Sequence, residues 1–365
     1  MMLNGETTKT EQNRSFRSHN VILVILQAGY YHVRLLYRYM SCTISEDSLD
    51  TLNSYWTDSR QKLHWGSVFV LPAWIQVWWQ IFGSGYETFI RTVRQGEKII
   101  GIAPLMLKEK TAGLIGNTDV CDYLDFIVTP GMEDDFFNIL MDDLKKNGIK
   151  SLDLKHIRSD STILTGLTNI AAERGHKVVS TQEDISLEMD LPSDWDEYLL
   201  SLSTKQRHEI RRKLRRLSEA GDVEYRFIDD ITAVPAAMDT FFKMFVESRQ
   251  DKADFMTEQM KSFFRLLAET MTGVGLLRLG VLELDAKPVA EIMCFDYNNC
   301  VYLYNSGYDP EYTSLSAGLL SKVLAIKDSI EKSKSRFDFL KGAEIYKYHL
   351  GGREVPLYRC QITIK

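Results

Sequence analysis

Along this chain the apolar positions change their period from place to place, and each change marks an element. Pro72 opens the run AWIQVWWQIF, where Trp74, Trp78 and Phe82 recur at helical spacing with Trp79 beside them. A proline in the first helical turn followed by that spacing predicts an amphipathic helix whose aromatic stripe is core or domain interface. Residues 87–93 and 99–106 read as strands around a turn at Gln95, Gly96 and Glu97. A strand at 123–128 leads through Pro130 and Gly131 into a helix at 134–146; 151–156 reads as a strand, 161–174 as a helix, and two short strands end near Met189. Ahead of them all, 45–57 reads as a helix.

The order then recurs. A strand at 223–227 is followed by helices at 231–249 and 257–271, a hairpin of 276–284 and 289–295 turning at Asp285 and Ala286, a strand at 300–306, a helix at 316–333, and strands at 336–340 and 355–364. The segments RQGEKIIGIAPLML and ELDAKPVAEIMCFD superpose at the turn and the following strand without a gap. This is an internal repeat of α/β units, too few and too divergent for a solenoid. It divides the chain into a first domain at 41–190 and a second at 191–365. Residues 1–40 fall outside the repeat. Their VILVIL run is cut by Gln27 and falls short of the roughly 18 apolar residues of a membrane span. They read as a peripheral extension or a mis-started segment ahead of Met40.

Between the halves the composition breaks. In SLSTKQRHEIRRKLRRLSEA, Ser203 followed three residues later by Gln206 is a capping-box pattern, and Ile210, Leu214 and Leu217 form one narrow apolar stripe. The rest of that helix is cationic: seven Lys or Arg and one acid, Glu209, lie between Lys205 and Arg216, a local charge of +6 in a chain of net −6. Cations in a first helical turn oppose the helix dipole, and like charges four apart repel, each at about a few tenths of a kcal/mol. A bound anion would offset both, which makes Lys205, Arg207, Arg211 and Arg212 candidate anion ligands. A solvated basic face is the alternative.

Five scattered cysteines without CxxC or Cys/His ligand spacing indicate reduced thiols and a cytoplasmic protein. There is no GxSxG elbow, no HExxH and no paired-histidine metal pattern, and TGVGLLRLG lacks the strand-then-helix context of a dinucleotide fingerprint. Serine hydrolase, metal hydrolase and dehydrogenase chemistry are set aside, and no metal is expected. Two constellations remain. Thr313 to Gly318 opens a long helix with small residues, and the free N–H groups of such a start, at Ser314, Ser316 and Gly318, suit a pyrophosphate; Ser314 or Ser316 as a plain N-cap is the alternative. The densest polar cluster, FDFLKGAEIYKYHLGG, carries Asp338, Glu344, Tyr346 and Lys347. Acyl transfer to an amine needs a base, oxyanion donors and an acid near the leaving group. Carboxylates and tyrosines at strand ends supply such groups, Tyr304 among them, and Glu291, an acid within an apolar strand, is a further candidate base.

Together the blocks STKQRHEIRRKLRRL, VAEIMCF, YLYNSGYDPEYTSLSAGLL and FDFLKGAEIYKYHLG, with VFVLPAWIQVWWQIFG and GIAPLML earlier, resemble the CelD-type, FemAB-related branch of the GNAT acyltransferase superfamily. The resemblance runs from about Leu63 onward. It implies an α/β fold of two tandem GNAT-like domains with mixed, mostly antiparallel sheets, the second catalytic and the first supporting. It implies transfer of an acyl group, in the first instance acetyl, from acyl-CoA to an amine of a small molecule or polymer precursor, in exopolysaccharide or envelope synthesis. In the related Fem enzymes the donor is aminoacyl-tRNA, which is the alternative; a degenerate, non-enzymatic binding partner is another. Where the family shows Gly-Asp-Glu this chain has Gly342, Ala343 and Glu344, and where it shows Ser-Pro-Gly this chain has Ser316, Ala317 and Gly318. The first departure leaves Glu344 as the favoured acid of that pair.

Overall fold

The computed structural model describes residues 42–228 and 230–365, so the reading of 1–40 lies outside the described residues. Antiparallel pairing begins at β1 (Cys42–Asp47), which lies along β2 (Glu87–Gln95) with Ile44 opposite Val93. The helix expected at 45–57 is therefore shorter: α1 spans Leu49–Thr57, because Ile44 packs on the core and the first residues take up the ladder of β2 instead. Next come α2 (Pro72–Phe82), β3 (Lys98–Lys108), β4 (Thr111–Leu114), β5 (Ile127–Val128), α3 (Glu133–Lys146) and β6 (Ser151–Arg158). The strand expected at 123–128 contracts to β5, and the helix at 161–174 is a π-helical turn (Ile163–Leu167) running into α4 (Thr168–Glu173). The two short strands before Met189 are one long strand, β7 (Lys177–Asp190), whose polar centre STQED is exposed.

A helix missed by the sequence reading, α5 (Trp195–Ser201), precedes the basic helix α6 (Thr204–Ala220), whose Ser203 side chain accepts the Gln206 amide as the capping pattern predicts. The second half continues through β8 (Val223–Ile228), α7 (Val234–Ser248), α8 (Gln250–Phe255), α9 (Glu258–Gly273), β9 (Leu277–Leu284), β10 (Lys287–Tyr297) and β11 (Cys300–Tyr308). A 3₁₀ turn (Pro310–Leu315) leads into α10 (Ala317–Glu331), and β12 (Arg336–Lys341), α11 (Ile345–His349) and β13 (Arg353–Thr363) follow.

The strands form a single sheet in the order β1-β2-β3-β4-β6-β13-β7-β12-β11-β10-β9-β8, with β5 beside β3. Pairing is antiparallel except at two joins, β4 with β6 and β11 with β12, each bridged in the chain by a helix, α3 or α10. That is the repeat expected from the sequence: two α/β units with a mixed, mostly antiparallel sheet. At both joins the parallel register is brief. Thr111 and Ala112 pair with Ser151 and Leu152, and Cys300 to Tyr302 pair with Arg336 to Asp338, after which the strands part. Two notches open there.

One large core spans both halves. Trp74 of α2 sits edge-on to Phe295 of β10 and Tyr304 of β11, each at 5.2 Å, and to Phe263 of α9 at 6.3 Å. The aromatic stripe read from the sequence is thus both core and interface between the repeats. A second cluster under α5, α6 and α10 fills the other face of the second half.

Candidate active site

The notch between β11 and β12 holds the largest cavity described, about 720 Å³. A register shift between β10 and β11 makes Tyr304 an extra, bulged residue, since Met293 faces Asn305 while Cys294 faces Leu303. A bulge leaves its backbone outside the ladder, so polar backbone groups of β11 are open to the notch. Gly307 lets α7 close one side: a Cβ there would lie 2.5 Å from the Phe245 amide nitrogen.

The floor is the start of α10. Ser316 has φ +60° and makes no side-chain cap; its hydroxyl instead accepts Lys213 Nζ at 2.7 Å. The Leu319 and Leu320 amides already bond the Ser316 carbonyl. The amides of Ala317 and Gly318 have no carbonyl one turn back and face outward along the helix axis, where an anion is favoured. The first turn carries no acid. The equivalent helix of the first half is the reverse: α3 begins with Glu133, Asp134 and Asp135. A helix start without acids favours an anion, and one with three acids disfavours it.

On the opposite wall, Glu344 caps the entry to α11 and lines the cavity, half exposed, with Oε2 at 2.9 Å from Lys347 Nζ. Lys347 is 3% exposed, and its ammonium also donates to the carbonyls of Leu340 (3.1 Å), Lys341 (2.6 Å) and Gly342 (3.1 Å). It ties the end of β12 to α11 and holds Glu344 in place. Tyr346 lines the cavity beside them, its phenol pKa raised by burial and by Glu344. Tyr304 also lines it, but its hydroxyl donates to the Val120 carbonyl at 2.9 Å, and burial holds its pKa well above the ordinary value.

Other expected residues lie apart. Asp338 faces a separate cavity of about 330 Å³, where its Oδ1 accepts Tyr123 Oη and the Leu340 amide, both at 2.8 Å; burial pushes it up to about 7. Glu291 is 2% exposed on β10 and does not line the large cavity. Its Oε2 has no hydrogen-bond partner, and burial raises it to about 8. Ser314 is exposed beside the cavity rather than in its wall, whereas Ser316 and Gly318 are in it. Of the basic helix, Lys205, Arg211 and Arg212 are exposed and Arg207 half-buried, none lining the cavity; Arg212 is bound to Glu209 at 2.7 Å. The cation of α6 that reaches the site is Lys213.

Sequence reasoning missed Lys213, Lys252, Lys322 and the Asp119–Asp122 loop, all in the cavity wall. Lys322 carried a signal, since it stands within the buried face of α10 among Leu320, Val323 and Ile326. The loop comes from the first half and gave none: Lys341 Nζ reaches the Thr118 carbonyl and its amide the Asp122 carboxylate (3.0 Å), a pairing made by folding alone. Among the described residues no group of three His, Cys, Asp or Glu could hold a metal, and no helix is long and apolar enough to cross a membrane.

A bulged strand and a splayed parallel pair, with an acid-free helix start between them, make up the notch, and solved structures share the fold that holds it. FemX superposes with a TM-score of 0.61 at 12% identity, over 87% of this chain and 96% of that one. A conserved protein of unknown function from Bacteroides thetaiotaomicron superposes with a TM-score of 0.56 at 12% identity, over 88% and 99%. No curated protein matches the sequence. Residues 204–348, from the basic helix to α11, match the family model described as an acetyltransferase (GNAT) domain. Residues 204–348 are therefore similar to an acetyltransferase (GNAT) domain, and the chain as a whole shares its fold with FemX.

Proposed function

We propose that the chain moves an acyl group, in the first instance acetyl, from acyl-CoA to an amine on a small molecule or polymer precursor of the exopolysaccharide or envelope type. The second repeat, 191–365, carries the chemistry and the first, 41–190, supports it. The observation that carries this reading is the contrast between the two notches: α10 begins without acids and with Lys213 on Ser316, while α3 begins with three acids. The donor's phosphates then lie at Ser316 to Gly318. Glu344 takes the proton of the attacking amine; the new C–N bond forms as the C–S bond breaks, and Tyr346 returns a proton to the thiolate. The five free cysteines favour a reducing compartment, the cytoplasm.

An aminoacyl-tRNA donor is the second reading. The exposed cations of α6, Lys205, Arg211, Arg212, Arg215 and Arg216, lead along one helix to Lys213 at the cavity and favour it. Thermal unfolding separates the two. A ligand at about 100 times its Kd stabilises the folded form by roughly 2.7 kcal/mol. We expect that shift with CoA and acetyl-CoA, and its loss in Lys213→Glu. A shift with bulk aminoacyl-tRNA alone, steeply weakened by salt, replaces the acyl-CoA reading with the second one.

A further inference from the structure

The basic groups around the large cavity fall into two kinds. Lys347 is surrounded by three carbonyls and Glu344, Arg249 is bound to Asp251 at 2.6 Å, and Lys341 reaches the Thr118 carbonyl. Lys322 and Lys252 are different. Lys322, 7% exposed in the second turn of α10, spends one N–H on the Gly318 carbonyl at 2.6 Å and lies 5.3 Å from the Tyr346 ring centroid. Lys252, half-buried at the start of α8, spends one on the Ser306 carbonyl and lies 4.6 Å from the Phe245 ring centroid. An ammonium has three donors, so each retains two. Neither makes an ion pair among the described residues, and three of the wall's four carboxylates are engaged elsewhere: Glu344 by Lys347, Asp251 by Arg249, Asp122 by the Lys341 amide; the fourth, Asp119, pairs with neither lysine. Burial lowers both pKa values, Lys322 to about 7 and Lys252 to about 8, and Lys252 adds to the effect on Lys322. A buried and a half-buried cation facing one cavity, neither with an ion-pair partner, are costly unless a ligand brings one.

The donor's pyrophosphate does not account for them. Helix amides point toward the N-terminus and carbonyls toward the C-terminus. An anion on the Ala317 and Gly318 amides lies off the end of α10, whereas the Lys322 ammonium, held by the Gly318 carbonyl, lies beside the first turn. Resting on the acyl-CoA reading, we propose that the substrate carries a second anionic group, a carboxylate or phosphate, seated between Lys252 and Lys322 and distinct from the donor's pyrophosphate. Its source is either the acyl group, which is then one end of a dicarboxylic acid joined to CoA as a half-thioester, or the amine acceptor.

The test uses the whole chain saturated with CoA, so that the helix end is filled, and titrates inorganic phosphate by calorimetry. Phosphate binds in addition to CoA, and Lys252→Met and Lys322→Met each weaken it by about tenfold or more, as expected for loss of a charge-assisted hydrogen bond, while CoA affinity stays within about threefold. The unliganded variants unfold at a higher temperature than the wild type, because each removes an unpaired buried charge. Succinyl-CoA and acetyl-CoA then separate the sources. Tighter binding of succinyl-CoA with displacement of phosphate assigns the anion to the acyl group; equal binding with phosphate retained assigns it to the acceptor. Phosphate that competes with CoA, or that binds both Met variants like the wild type, overturns the proposal and leaves the acyl-CoA reading standing. Absence of CoA binding overturns that reading, while phosphate lost in the Met variants still shows the lysine site.

Discussion

Replacing Glu291 with glutamine should remove a pH dependence that the fold builds in. Glu291 is 2% exposed in the middle of β10, its Oε2 has no partner, and Arg226, the cation that acts on it, is bound to Glu283 at 2.6 Å. Burial, opposed by Arg226, moves its carboxyl from the ordinary 4.5 up to about 8. The native state then keeps a proton that the unfolded chain releases. Stability is whole below pH 4.5, falls as pH rises toward 8, and levels off above it, by about 1.36 kcal/mol per pH unit. Between pH 5 and 8 the loss is on the order of 3 kcal/mol. With an unfolding entropy near 0.7 kcal/mol per kelvin for a chain of this length, that is roughly 4 to 5 °C. Melting curves of the wild type and Glu291→Gln at pH 5, 6, 7 and 8 measure it. The two should nearly coincide at pH 5 and separate in favour of the variant by pH 8. Curves that stay parallel across the range would refute the assignment of a buried, titrating carboxyl.

Two further outcomes concern the wall of the cavity. Lys347→Met should destabilise by about 3 kcal/mol or more, because three carbonyls and Glu344 lose their shared donor in a buried place; denaturant unfolding checks it, and an unchanged midpoint would mean that the carbonyls find water. Glu344→Gln should lower turnover by about a hundredfold or more, as expected for a lost general base, with the melting temperature nearly unchanged because the side chain is half exposed and glutamine still accepts from Lys347. Unchanged turnover would remove Glu344 from the mechanism.

Where an element declares itself within its own residues, the sequence was enough. The helix after Pro72, the paired hairpins and the capped basic helix all appear at nearly the positions expected, because proline, turn residues and periodicity act locally. The misread pieces take their form from partners far away in the chain. Residues 42–47 become a strand because β2 offers them a ladder, and the polar STQED stretch stays extended because β13 pairs along it. The site divides in the same way. Ser316 and Gly318 lie together at one helix start and Glu344, Tyr346 and Lys347 together in one polar run, and each set was legible as a unit; the fold brings the two sets to one cavity. Asp338 was grouped with them by proximity alone, but alternation and a bulge turn it to a different cavity. A half-buried lysine such as Lys252 looks like any surface charge until a fold closes over it, and the loop that Lys341 grips belongs to the other half of the molecule.

The position of β13 bears on how such a chain is made. It lies between β6 and β7, and β7 in turn lies against β12, so each repeat completes its sheet with a strand from the other. During synthesis the first repeat emerges with a gap beside β6 that nothing nearby can fill. It must wait, with β7 unpaired on that side, until the second repeat has been translated and β13 arrives. On this topology the two repeats are expected to become native together, and a first repeat without β13 to leave strand edges open.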